Sequence, residues 1–210
     1  GSAIGLVSWN LGEIRSSRVS ADLSGQSGYG FVRVNEGIVI RSSANVDIFE
    51  GNAGVGFVGT NSLGRIESSY ATGTLKSRFF LAGFALNNRG DILNSYSHVS
   101  IEAIFSESNP DLNNVGGFVT ENEQGGIIKT SFAAGSITLD PPNEMFLSGG
   151  IAVKNFGEIH STYWDRQLTG LKDGIGEGSG DGVIGLTTTQ MTGPAAQENM
   201  PGFDFETVWA

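Results

Sequence analysis

The chain's two histidines, His98 and His160, lie far apart, and neither belongs to a His-Glu-x-x-His unit that would set two imidazoles on one helix face around zinc. A serine triad needs Ser, His and Asp within reach of one another. Serines are plentiful, but no Gly-x-Ser-x-Gly elbow stands in a strand-to-helix setting. With no cysteine, a thiolate nucleophile, a thiolate metal site and a disulfide framework are all excluded. Polysaccharide hydrolysis needs two carboxyl groups about 5–9.5 Å apart. Asp22 with Asp47 is the best pair available, and Asp111, Asp140 and Glu144 lie on insertions. A solvated acidic face is the plainer account of all five.

Asp173, Glu177 and Asp181, spaced by glycines, could wrap a calcium ion. Ile175 and Ile184 occupy positions where an EF-hand needs oxygen donors. Only Gly176, Asp181 and Val183 fit the calcium-binding nonapeptide. A flexible turn is the alternative, and no cofactor is expected. Tyr70, Tyr96 and Phe132 fall at equivalent places in successive segments, where rings could form a platform for a sugar or a protein partner. Stacking between neighbours accounts for them equally well. With Glu107, Asp111 and Asp140 on the insertions, they make up the candidate ligand surface. Arg15, Arg41 and Glu67 form a further column, expected to be a surface ion pair. A Thr-x-Thr grid for ice exists only at Thr72 and Thr74.

What must position these residues is a repeat. The stretch GVGFVGTNSLGRIESSYATGTL, residues 54–75, has copies starting near Gly5, Gly30, Gly56, Gly83, Gly117 and Gly150. Aligned on Ile14, Ile40, Ile66, Ile92, Ile128 and Ile159, the first three intervals are 26 residues each and the last two are 36 and 31. After each serine the residues alternate. Ala71, Gly73 and Leu75 fall on a small or apolar side, and Tyr70, Thr72 and Thr74 on the other. Period two marks a strand with one buried face. About 26 residues cannot bury a core alone, so each unit should form one rung of a stacked parallel sheet.

Stacking puts like on like. It predicts an inward column of Leu6, Phe31, Phe57, Phe84, Phe118 and Ile151. It also predicts an asparagine column from Asn10 to Asn155 and a serine column at Ser17, Ser43, Ser69, Ser95 and Ser131. The corner glycines Gly12, Gly37, Gly64, Gly90, Gly125 and Gly157 are expected to supply positive φ. Two acidic insertions, Glu102 to Asn114 and Thr138 to Leu147, leave from one corner. The pattern breaks at Tyr163-Trp164-Asp165, and Trp164, Phe203, Phe205 and Trp209 are the expected cap residues. The expected division is a β-solenoid over 1–170 and a capping segment over 171–210.

Composition agrees with a folded, non-fibrous chain: 39% hydrophobic, 32 glycines without a collagen period and 5 prolines. A net charge of −10 opposes nucleic acid or an anionic membrane as partner. No apolar run reaches the ~18 residues of a transmembrane helix. Gly1-Ser2 looks like a cloning remnant, and entry into a repeat by Ile4 suggests a piece of a longer repeat-bearing chain.

The unit Gly-Gly-Phe-Val-x-x-Asn-x-x-Gly-x-Ile-x-x-Ser-Tyr-Ala-x-Gly, clearest in 56–73 and 117–135, resembles the GLUG repeat. The ending Tyr163-Trp164-Asp165, Gly185 to Met191 and Gly202 to Trp209 is similar to the segment that closes such arrays. Repeats one and six depart most, with Leu6 and Ile151 in place of Phe and Arg18 in place of the aromatic. These repeats occur in large secreted or surface proteins, including filamentous-haemagglutinin-like exoproteins and the non-catalytic parts of IgA-cleaving metallopeptidases. The resemblance implies a surface β-solenoid, and with the stacked rungs and the right-handed crossover rule for parallel strands the expected fold is an all-β, right-handed parallel β-solenoid of about six coils with a C-terminal cap. It gives no catalytic residues, and the expected function is a non-catalytic stalk and/or adhesive segment of a secreted or cell-surface adhesin, at an extracellular or cell-surface location, with a host-matrix protein or cell-surface glycan as partner. A sugar-binding module is the alternative function, and a polysaccharide-cleaving enzyme the third.

Overall fold

The computed structural model of the protein describes residues 1–105, 113–140 and 146–209, and of Glu50 only the backbone. The described strands pair in parallel and stack in register into three sheets. One repeat illustrates the path. Tyr70–Ala82 lies in the twelve-stranded sheet, Ala85–Asn88 in the seven-stranded sheet and Asp91–Leu93 in the six-stranded sheet, and Tyr96–Ile104 then returns beside Tyr70–Ala82. The protein is therefore all-β, with the stacked parallel sheets of a β-solenoid.

The interior is made of columns. Phe31, Phe57, Phe84, Phe118 and Ile151 are completely buried, and the four rings stack at 4.6–4.8 Å. Each phenylalanine sits just ahead of a strand of the seven-stranded sheet, at the bend, rather than within it. Leu6 has a neighbouring rung on one side only and is 46% exposed.

Asparagine stacks on asparagine as an amide ladder. Each Nδ2 donates to the next Oδ1, from Asn10 through Asn35, Asn61, Asn88 and Asn122 to Asn155, at 2.8–2.9 Å. The ladder ends with Asn155 Nδ2 donating to the Ser179 carbonyl at 2.7 Å. These buried side chains satisfy one another as well as the turn backbone, as a polar group in a dry interior requires.

Register corrects the second repeat by one residue. Ile66 pairs with Val39 and Val39 with Ile14, so the intervals are 25 and then 27 residues. Val39, not Ile40, is the buried member. Two adjacent β-branched residues satisfy the local pattern equally, and only burial against Ile14 and Ile66 chooses between them. The Gly-x-aliphatic spacing, Gly37-Ile38-Val39, carried the signal.

The serine column shifts with it. Ser42 Oγ accepts the Ser17 N–H, and Ser69 Oγ accepts the Ser42 N–H. Ser43 instead lines up with Tyr70. Arg41 likewise leaves the expected charged column, in which Ile40 stands between Arg15 and Glu67. The ion pairs formed there are within single strands, Arg15 with Glu13 and Arg65 with Glu67.

The corner glycines do not supply positive φ, except Gly125 at +89°. At the glycine corner the left-handed residue of the third repeat is Leu63, with φ 63°, and left-handed backbone recurs one corner later, at Ser16, Arg41, Ser68, Asn94, Thr130 and Ser161, with φ between 45° and 50°. Glycine is needed at the first corner because rungs approach closely: a Cβ at Gly90 would lie 2.1 Å from the Gly64 carbonyl oxygen. Gly90→Ala is therefore expected to lower stability by ~1–3 kcal/mol. Asn should be no better than Ala, whereas at a true left-handed position it would be. Urea midpoints of the two variants check this, and recovery of stability by Asn would refute a steric origin.

The C-terminal part divides differently from expectation. The stretch from Asp173 to Asp181 contains the strand Ile175–Gly178, which pairs with Ala152–Asn155, and Val183–Leu186 pairs with Thr162–Asp165. It is thus a rung and not simply a flexible turn. Trp164 points inward over Ala133 and fills the end of the core, where Gly150, Gly174 and Gly185 leave room for its indole. Phe203, Phe205 and Trp209 do not join it. After helix α1 (Arg166–Thr169), a 3-10 turn (Thr188–Met191) and helix α2 (Gly193–Asn199), they lie against the outside of the twelve-stranded sheet.

Candidate functional site

Outward side chains of the twelve-stranded sheet form the candidate surface, since strand alternation turns every second residue to solvent. Tyr70, Tyr96 and Phe132 are brought together as expected. Their rings stack at 4.9 Å with interplanar angles of 4° and 1°. The upper part of this ladder is occupied by the protein itself. Trp209 leans on Phe132 and Tyr96, and Phe203 packs edge-on to Tyr163 and flat on Trp209. Tyr163 Oη anchors the segment by donating to the Pro201 carbonyl at 2.7 Å. Tyr70 is left at the open end. The sequence singled out the aromatics of the tail but assigned them to the wrong surface, because contacts between residues 38 to 113 positions apart leave no local pattern.

Burial raises the phenol pKa of Tyr96, with the neighbouring Tyr70 adding to it, and burial alone raises that of Tyr163. A folded-state value above the unfolded one favours the neutral phenol in the native state. This stability is complete below the unfolded value of about 10 and is lost as pH rises through the folded values. The urea midpoint is expected to fall as pH rises past about 10, and Tyr96→Phe should flatten that fall. An unchanged slope in Tyr96→Phe would refute the assignment.

The described acidic candidates occupy separate places. Asp140 ends the strand Ile137–Asp140 as an exposed residue, while Glu107, Asp111 and Glu144 lie outside the described residues. The flanks of the two insertions do meet, with Phe105 edge-on to Phe146 at 5.8 Å and Ile104 paired with Asp140. Asp22 and Asp47 are register neighbours on the outward face. Of the calcium candidates, Asp173 precedes the strand Ile175–Gly178, Glu177 lies within it beside the Lys154 ammonium at 3.4 Å, and Asp181 follows it. Among the described residues no three His, Asp or Glu side chains converge on a common metal position. His98 is an exposed member of the outward face beside Thr72, and His160 is exposed and 3.2 Å from Glu158.

Three depressions open on this sheet. One of about 310 Å3 lies under the C-terminal segment, between Phe132, Met191, Phe203 and Trp209. Another, of about 550 Å3, lies at the insertion corner between Phe49, Lys76 and Ile104. The third, of about 530 Å3, adjoins the free end of the aromatic ladder at Tyr70. Sequence alignment missed this last one because it placed Ser43 among the corner serines.

Compared with known proteins, the chain matches no family model, no curated protein and no solved structure.

Proposed function

We propose that the chain is a non-catalytic, GLUG-like repeat segment of a secreted or cell-surface protein, acting as a stalk and as an adhesive surface. In this reading it is a right-handed β-solenoid of about six coils with a C-terminal cap. The right-handed crossover preference of parallel strands supports the handedness. Trp164, which fills the end of the core, supports the cap.

The observation that carries the functional reading is the continuity of the columns. The phenylalanine stack and the asparagine ladder fill the interior from rung to rung. Every repeat therefore adds length along one axis and an equal strip of outward surface. Such a body suits projection and multivalent contact, and its stability is a sum of rung and neighbour terms that longer arrays would extend. No helix among the described residues is long and apolar enough to cross a membrane. A second reading, a sugar-binding module, is favoured by the outward aromatic ladder and its open end.

The test is attachment of the purified chain, coated on beads, to host-matrix proteins and glycan-bearing cells, with a polysaccharide panel assayed in parallel for new reducing ends. Saturable attachment without cleavage is the expected result. Attachment of the parent protein that survives deletion of this segment would reduce it to a spacer. Release of reducing ends would overturn the non-catalytic reading.

A further inference from the structure

The aromatic column on the outward face lacks one member. In register it runs Arg18, Ser43, Tyr70, Tyr96, Phe132. Tyr96 has a ring on each side, but Tyr70 faces only a hydroxymethyl group at Ser43. Arg18 lies beyond, two rungs from Tyr70 and so roughly 9.6 Å away at the usual strand spacing. Both border the 530 Å3 depression, with the buried Ser43 and Ala44 beneath it and Ser20, Asn45 and Thr72 at its rim.

The slot's chemistry is specific. Van der Waals contact on both faces of an occupant takes up ~7–8 Å of the opening, and the ~2 Å left over suits a puckered saturated ring better than a flat one. One wall is an uncovered phenol ring, against which C–H groups pack. The opposite side is bordered by Arg18, an exposed residue whose guanidinium makes no ion pair or side-chain hydrogen bond among the described residues, so its five N–H donors are available. At the rim, Thr72 Oγ1 donates to Asn45 Oδ1 at 3.0 Å, which orients the exposed amide so that its NH2 can donate outward. Asp22 and Asp47 stand further along the same two strands, and the chain carries a net charge of −10, which disfavours an anionic ligand.

We propose that this slot binds a neutral hexopyranose unit of a glycan. One C–H face stacks on Tyr70, and the ring hydroxyls accept from Arg18 and Asn45. The inference rests on the adhesive reading only in that it takes the outward face as a contact surface.

The probes are methyl hexopyranosides and short neutral oligosaccharides, added at millimolar concentration to the whole chain and followed by saturation-transfer NMR and calorimetry. Binding by the wild type is expected for at least one of them. Tyr70→Ala should weaken it roughly tenfold through loss of the stacking face. Arg18→Ala, at an exposed position, should weaken it without altering the thermal melt. Ser43→Tyr supplies the missing ring, so it should abolish binding while raising the melting temperature. Saccharide binding that persists in Ser43→Tyr would put the sugar elsewhere and overturn the slot. Silence toward every saccharide would overturn it too. If bead attachment to matrix proteins continued in that case, the adhesive reading would survive the loss of the slot, and if attachment were absent as well, both would fall.

Discussion

Asn88→Asp is expected to destabilise the chain strongly at neutral pH and to recover stability in acid. Asn88 is completely buried at the middle of the amide ladder. Its Oδ1 accepts from Asn61 Nδ2 at 2.9 Å and from the Gly90 N–H at 3.3 Å, and its Nδ2 donates to Asn122 Oδ1 at 2.8 Å. A carboxylate keeps the acceptor but turns the donor into a second acceptor facing Asn122 Oδ1, and it buries a charge with no counterion. Such a lone buried charge costs about 3–5 kcal/mol. Burial would raise the folded-state pKa above the unfolded value of about 3.9. The penalty is thus absent below that value and grows as pH rises toward the folded one. Protonated aspartic acid can also donate to Asn122, which restores the chain of bonds. Asn88→Ala, which adds no charge but takes from Asn61 Nδ2 its acceptor and from Asn122 Oδ1 its donor at position 88, should cost less, about 1–3 kcal/mol, at every pH. Urea midpoints of both variants at several pH values provide the check. A pH-independent Asp variant would mean that the amide is hydrated and the ladder open.

Phe84→Ala carries the next largest expected effect, a loss of about 3–5 kcal/mol. Phe84 is stacked on both faces, by Phe57 at 4.8 Å and Phe118 at 4.7 Å, and is completely buried. Truncation removes transfer energy and leaves a cavity that neighbouring rungs cannot close, because their backbones are tied by parallel pairing. Phe84→Leu refills most of the space and should cost under about 1.5 kcal/mol. Denaturant titration of the two variants separates a packing role from a stacking role. Equal losses would assign the energy to the ring faces rather than to filled volume.

Both predictions rest on columns that could be seen in the amino-acid sequence. Alternation after each serine identified strands, and recurrence of Phe and Asn at fixed offsets identified stacked rungs. The reason is physical: in a parallel in-register stack each residue's neighbours above and below are its own equivalents, so the demand for like next to like is written into the repeat. That the flanks of both insertions meet at one corner was legible for the same reason, since the columns on either side are shared.

Three features were not legible, and each has its own cause. Val39 and Ile40 are adjacent, β-branched and apolar, so a one-residue shift cost the local pattern nothing. Only burial against Ile14 and Ile66 decided the register, and with it the placement of Ser42 at the corner and Ser43 in the aromatic column. The open slot below Tyr70 came into view only with that shift. Backbone conformation at the corners was the second: glycine marked close approach of rungs, while the left-handed turns fell on serine, arginine, asparagine and threonine. The third was the course of the tail. Its aromatics were recognisable as apolar residues needing cover, but whether they closed the end of the core or covered Tyr96 and Phe132 depended on space. Trp164 already fills the end, and the ladder offers an apolar face outside. Periodicity along the chain thus determined what stacks on what, whereas the tertiary structure decided the single-residue register and the long-range packing, because both depend on shape complementarity that no local repeat encodes.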